Sequence, residues 1–327
     1  MKTRFITHPH HLKKEDFPPT VMALGYFDGV HLGHQQVIQT AVQIAAEAGY
    51  KSAVMTFHPH PSVVLGKKEQ HVQLITPLQE KERLIAELGV DYLYIVEFTP
   101  SFAELLPQQF VDQYMIGFHV KHVVAGFDFT YGRLGKGTME TLPFHSREQF
   151  TYTTVPKLAR NGEKISSTYI RQLLKNGDVH QLPNLLGRFY TVKGTVVDGE
   201  KRGRTIGFPT ANIELADDYL LPAFGVYAVK IHIGKEAYNG VCNVGYKPTF
   251  HAERHGQPHI EVHIFDFADD IYGQTVTIEW HKRLRSEQKF SSIEQLVKQI
   301  ERDQEQAKAY FRNLSEKTCI LPRKDVF

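Results

Sequence analysis

An apolar run at residues 21–24 passes directly into Gly25-Tyr-Phe-Asp-Gly-Val-His-Leu-Gly-His34, and a helical pattern follows at once. Val37, Ile38, Ala41, Ile44, Ala45 and Ala48 recur at three- and four-residue steps, the period of a helix with one buried face. A buried strand feeding a helix through a short glycine-rich loop commits this part of the chain to a βα unit. His31 and His34, three apart in the first helical turn, share one face. The helix start offers free N–H groups and a positive dipole end, which suit a phosphate. Gly25, Gly29 and Gly33 let the backbone pass close to a ligand, and Asp28 sits among them. The segment reads as a nucleotide phosphate site of the His-x-x-His kind.

The strand–helix alternation continues. Strand-like runs occupy 52–57, 92–96 and 122–125, and helical patterns occupy 33–48, 107–115 and a stretch ending near Leu88. Thr76-Pro77 reads as the start of that last helix, an N-cap with proline at the first helical position. Such alternation predicts a parallel sheet with helices on both faces, and ligands in such sheets sit beyond the strands' carboxyl ends. The pattern changes near residues 182–187. Short strands at 187–199, 226–233, 238–244, 259–267 and 275–280, separated by Gly, Pro or Asn, predict a small antiparallel barrel. Ser291 and Ser292 then cap a terminal helix striped by Ile293, Leu296, Val297, Ile300, Ala307, Tyr310 and Phe311. The expected fold is α/β with a second all-β domain: a Rossmann-like domain over 1–184 and a barrel with its helix over 185–327.

Of the 327 residues, 42% are hydrophobic and 23% charged, and the formal net charge is +2. That near-neutral balance predicts no nucleic-acid partner, and no apolar run reaches membrane-spanning length. Cys242 and Cys319, far apart, form no disulfide framework and suit a reducing cytoplasm.

Further motifs carry chemistry. In Ile165-Ser-Ser-Thr-Tyr-Ile-Arg171, Ser167 or Thr168 reads as a helix cap, and Arg171 one turn on can grip a phosphate with its fork of donors. Gly126-Phe-Asp-Phe-Thr-Tyr-Gly132 follows a strand and sets Asp128 between Phe127 and Phe129, which suits a planar heterocycle. Gly135-Lys-Gly137 lacks the residues of a P-loop. Phe57-His-Pro-His-Pro61 reads as a rigid substrate-lining loop rather than a zinc pair. In the second half, Gly203-Arg-Thr-Ile-Gly-Phe-Pro-Thr-Ala-Asn212 combines the hinges Gly203 and Gly207, the cation Arg204 and the hard oxygens of Thr210 and Asn212. Those two oxygens, two residues apart on extended backbone, suit Mg²⁺ beside a phosphate. Glu261 alternates out of phase with Ile260, Val262 and Ile264. It reads as a solvent-facing carboxylate unless the barrel interior binds a ligand, in which case it can take a hydroxyl proton during phosphoryl transfer.

These segments, with Asn243-Val-Gly-Tyr-Lys-Pro-Thr249, Tyr272-Gly273 and Leu284-Arg-Ser-Glu-Gln-Lys-Phe290, make the chain resemble the bacterial bifunctional riboflavin kinase/FAD synthetases over nearly its whole length. The resemblance implies that the barrel phosphorylates riboflavin with ATP to FMN and that the first domain adenylylates FMN to FAD with release of pyrophosphate. It implies ATP as co-substrate and Mg²⁺ as cofactor, in a cytoplasmic monomer or weak homo-oligomer. Carried over by position, His31 and His34 stabilise adenylyl transfer, with Gly25, Asp28, Gly29, Gly33, Ser167, Thr168 and Arg171 around the ATP phosphates. Phe57, Pro59, Asp128 and Phe129 lie toward the flavin. In the barrel, Gly203, Arg204 and Gly207 serve the phosphates, Thr210 and Asn212 hold the metal, Glu261 is the base, and Arg285 belongs to a flavin-side flap. Tyr26 stands where the family usually carries asparagine. A chain keeping only one activity, or a flavin-sensing regulatory protein, would share these motifs but differ in its products.

Overall fold

A computed structural model describes residues 1–66, 72–160, 162–199, 202–245 and 258–320. Residues 246–249 of the motifs above lie outside them. The chain forms two compact units, Met1–Tyr169 and Ile170–Phe327.

The first unit is built on six parallel strands: β1 (Lys2–Ile6), β2 (Thr20–Leu24), β3 (Lys51–His58), β4 (Tyr92–Glu97), β5 (Val120–Gly126) and β6 (Thr151–Val155). Their order is β1-β4-β3-β2-β5-β6. Every neighbouring pair is parallel. The four expected strands are present; β1 and β6, the two edges, carry too many polar side chains to stand out as apolar runs.

Side chains alternate across the sheet, as strand geometry requires. Val21, Ala23, Val54, Leu93 and Ile95 pack with Val37, Ile38 and Ala41 of α1 (Leu32–Ala48) and Ile85 of α2 (Leu78–Glu87). Met22, Leu24, Met55 and Tyr94 face the opposite layer, where Phe110, Val111 and Tyr114 come from a short α-helical turn that continues as a π-helix, Val111–Ile116. The periodicity at 107–115 showed a helix but not this widening.

Strand β2 lies between β3 and β5, and chain order reverses there: the next strand in sequence lies on one side and β5 on the other. Such a switch point opens a crevice at the carboxyl ends of the strands. The loops that follow β2 and β5 therefore emerge side by side, which brings the 25–34 and 126–132 segments together.

The second unit begins inside α3 (Ser167–Asn176). Its core is a closed antiparallel barrel of β7 (Tyr190–Val197), β8 (Ala211–Leu215), β9 (Gly225–Ile233), β10 (Glu236–Gly245), β11 (His259–Ile264) and β12 (Thr275–Arg285), in the order β7-β8-β11-β10-β9-β12. Closure removes exposed strand edges. Trp280, Ile231, Ile260 and Val262 are fully buried. Helix α4 (Ile293–Ile320) lies on the outer wall, where Ala307 and Phe311 pack against Ala228 and Phe265. Its start is fixed by the Gln295 amide N–H donating to Ser292 Oγ at 3.3 Å. Of its expected stripe, Ile293 is exposed.

Candidate functional sites

In the first unit a cavity of about 650 Å³ opens at the switch point, within the size range of small-molecule sites. Gly25, His31, Gly33 and His34 line it from the loop after β2, and Asp128 and Phe129 from the loop after β5. Phe57 comes from β3, and Ser167 and Thr168 from the start of α3. Nine of the expected residues therefore meet in one place.

His31 is the N-cap of α1, and its Nδ1 accepts the His34 backbone N–H at 3.1 Å. Nδ1 is thus the unprotonated nitrogen, which leaves Nε2–H as the ring's donor. The two imidazoles stack with centroids 3.5 Å apart, too close for both to be cationic. Burial, then the adjacent His31 and the Lys81 ammonium, hold His34 well below the ordinary histidine value. The arrangement is a pair of neutral rings at the positive end of a 17-residue helix. It can donate to phosphoryl oxygens where charge builds up.

Asp28, Gly29 and Pro59 do not line this cavity. Asp28 is 3% exposed and its Oδ1 accepts the Thr76 N–H at 3.0 Å. Gly29, at φ +91°, donates its N–H to Thr76 Oγ1 at 2.7 Å. A residue with a side chain is strained at that φ. The loop also holds Phe27 at φ 55° and Val30 at φ 40°, so two non-glycine residues occupy the left-handed region. Thr76 was expected to cap α2; its hydroxyl instead pins this loop, and Pro77 takes the N-cap position. Likewise Ser166, not Ser167 or Thr168, receives the Tyr169 N–H at the start of α3. Ser167 Oγ donates to the Asp28 carbonyl at 2.8 Å, tying α3 to the loop. Arg171 belongs to the second compact unit.

Lys164 is a lining residue that the motifs did not reveal. It pairs with Asp128 at 2.6 Å and lies over the Phe127 ring at 4.7 Å.

The second unit has a cavity of about 380 Å³. Glu261, Thr210, Gly203 and Arg285 line it, together with Asn243, His263, Glu287, Phe290 and Asp303. Glu261 points away from the barrel interior, which Ile260, Val262 and Ile264 fill, and into the space between the wall and α4. Glu261 therefore faces a ligand-sized space on the outer wall rather than the barrel interior. In register Glu261 stands between Asn212 and Asn243 on the flanking strands. His259 Nε2 lies 2.7 Å from its Oε1.

Asn212 is 6% exposed, and its Oδ1 has no hydrogen-bond partner among the described residues. A side chain at Gly199 would collide with the Asn212 amide, so glycine there keeps this position open. A buried hard oxygen left without a partner fits a Mg²⁺ ligand. Asn212 itself, Gly207 and exposed Arg204 do not line the cavity. Arg285 is locked to Asp303 of α4: Nε lies 3.0 and 2.9 Å from the two carboxylate oxygens. His263 Nδ1 lies 2.7 Å from the Pro209 carbonyl, next to Thr210, and its Nε2 lies 3.2 Å from Gln304 Nε2.

A FAD synthetase family model matches residues 13–169 and a riboflavin kinase family model matches residues 186–311. A Bacillus subtilis bifunctional riboflavin kinase/FMN adenylyltransferase is 58% identical, covering 96% of this chain and 99% of that protein. Its Listeria monocytogenes namesake is 47% identical over 97% and 100%, and that of Escherichia coli 35% over 92% and 96%. A crystal structure from Streptococcus pneumoniae named as a macrolide-efflux protein superposes with a TM-score of 0.84 at 37% identity, covering 94% of this chain and 99% of that one. Among the described residues no helix is long and apolar enough to cross a membrane. Both family models occur once, in the order of the two compact units, and the curated relatives match from end to end: the chain belongs to the bifunctional riboflavin kinase/FMN adenylyltransferase family.

Proposed function

We infer that this chain makes FMN from riboflavin and FAD from FMN, each with ATP, and that the two reactions run at the two cavities described above. The observation that carries this is a separate ligand-sized cavity in each unit, lined by different chemistry: histidines at a helix start in one, a carboxylate among oxygen donors in the other.

In the first unit an FMN phosphate oxygen attacks the α-phosphorus of ATP, a new P–O bond forms, and the bond to the β-phosphate oxygen breaks to release pyrophosphate. His31 and His34 donate to the α-phosphoryl oxygens as charge develops there. Ser167 and Thr168 lie at the triphosphate. Phe57, Asp128 and Phe129 orient the flavin.

In the second unit Glu261 accepts the proton of the ribityl hydroxyl as its oxygen attacks the γ-phosphorus and ADP leaves. Mg²⁺ held by the Thr210 and Asn212 oxygens would neutralise phosphate charge. Arg285, fixed by Asp303, lies on the flavin side, with Gly203, Arg204 and Gly207 serving the phosphate loop. The domain division in this reading is at 184/185, whereas the compact units part at Tyr169 and Ile170. Cys242 is a buried free thiol, which supports a reducing cytoplasmic setting. The reading includes a monomer or weak homo-oligomer.

The test is chromatographic separation of riboflavin, FMN and FAD after incubation with ATP and Mg²⁺. FMN should appear first and FAD after it. Flavin binding with neither product would replace this reading with a flavin sensor, and FMN alone would remove the second activity.

A further inference from the structure

Helix α2 reads as an amphipathic helix, and Leu84 and Ile85 form its buried stripe. Lys81 occupies that same stripe, one turn earlier, and is only 2% exposed. Burying an ammonium is costly, and a leucine or methionine would fill the space without that cost. The contacts show what the charge does there. Nζ lies 2.8 Å from the Tyr26 carbonyl oxygen, to which it donates, and 3.5 Å from Thr56 Oγ1. It sits 4.0 Å from the centre of the Tyr26 ring, within cation–π range. Thr56 Oγ1 donates to the same Tyr26 carbonyl at 2.9 Å. Tyr26 is the second residue of the 25–34 loop, whose strained turn carries the histidine pair.

We propose that Lys81 is a positioning residue for adenylyl transfer: it clamps the Tyr26 carbonyl and ring of the loop, and it sets a positive charge near His34. The proposal rests on the reading of His31 and His34 as α-phosphate ligands. The charged and titratable groups near Lys81 are Asp28 and Tyr26 of the loop and His34 at the start of α1. Glu80, its neighbour on α2, is engaged by Arg83 at 2.6 Å. The Lys81 charge helps keep His34 neutral. Burial, partly offset by Asp28, brings Lys81 itself down to about 8. The clamp is therefore charged at neutral pH and loses its charge as pH rises through about 8.

The experiment follows kcat/KM for ATP in FMN-to-FAD conversion against pH, because that ratio reports groups of the free enzyme. Wild type should show a fall on the alkaline side near pH 8. Lys81→Arg, which stays charged, should carry that fall to higher pH. Lys81→Met should lose about 10–100-fold at pH 7, the scale expected when reacting groups are misplaced, and show no such fall. Riboflavin kinase activity of the same chains should not change.

Wild-type kcat/KM in Lys81→Met, or an alkaline fall that stays at the same pH in Lys81→Arg, would overturn the proposal. If Lys81→Met fails to fold, the Lys81→Arg profile alone decides. His31→Ala separates the two levels: its loss beside an unaffected Lys81→Met rejects only the clamp, whereas full activity in His31→Ala rejects the site reading.

Discussion

Thr76 shows how one residue is read correctly as polar and wrongly as local. Its position before Pro77 satisfies every rule for a helix cap, yet its hydroxyl receives the N–H of Gly29, 47 positions away, and its own N–H reaches Asp28. Sequence spacing cannot show a partner supplied by tertiary packing. The same limit hid Lys81, whose burial only the sheet reveals. By contrast, the meeting of the 25–34 and 126–132 motifs in one cavity was legible, because each follows a strand of the parallel sheet at its carboxyl end. Thr76→Val keeps the side-chain volume and removes the hydroxyl that receives the Gly29 N–H. It should cost about 1–3 kcal/mol in the stability of the first unit and slow adenylyl transfer, with kinase activity unchanged. Thermal unfolding and FMN-to-FAD rates, measured on one preparation, check both effects.

At the level of elements, the central strands were readable because burial on both faces makes them continuously apolar, and α1 because its one buried face repeats at helical steps. The edge strands β1 and β6 were not, since one side of each meets water. The pairing of α4 with β12 also lay beyond the sequence. Arg285 and Asp303 are 18 residues apart, and their side chains are 15% and 3% exposed. Nothing local joins a strand-end arginine to an aspartate on the helix stripe. Removing one partner of so buried a pair strands the other charge, at a cost of about 3–5 kcal/mol. Asp303→Ala should therefore lower the melting temperature of the second unit and weaken riboflavin phosphorylation, while FAD formation from supplied FMN persists. An unchanged melting temperature would show that α4 is held by Ala307 and Phe311 alone.

The two units of the whole molecule should answer acid differently. Burial holds His8, His10, His34, His122 and His145 below the ordinary histidine value of 6.5, and all five lie in the first unit. Between the folded and unfolded values the unfolded chain binds more protons, so this unit loses stability as pH falls below about 6.5. In the second unit, burial pushes the Glu279 carboxyl up, but His281 and His232 together bring it below its ordinary 4.5. That contribution is present above about 4.5 and disappears only as pH falls through the lower folded value. The single tryptophan, Trp280, is fully buried in the barrel and reports the second unit alone. On acidification, adenylyl transfer and far-UV ellipticity should decline before Trp280 fluorescence shifts; a simultaneous change would mean the units unfold as one. Whether two separate sites carry the two reactions is decided by assaying His31→Ala and Glu261→Ala chains for both steps. His31→Ala should form FMN normally and lose about 10²–10³-fold in FAD formation. Glu261→Ala should lose about 10²–10⁴-fold in riboflavin phosphorylation and still convert supplied FMN to FAD. Equal loss of both steps in each variant would contradict the two-site account.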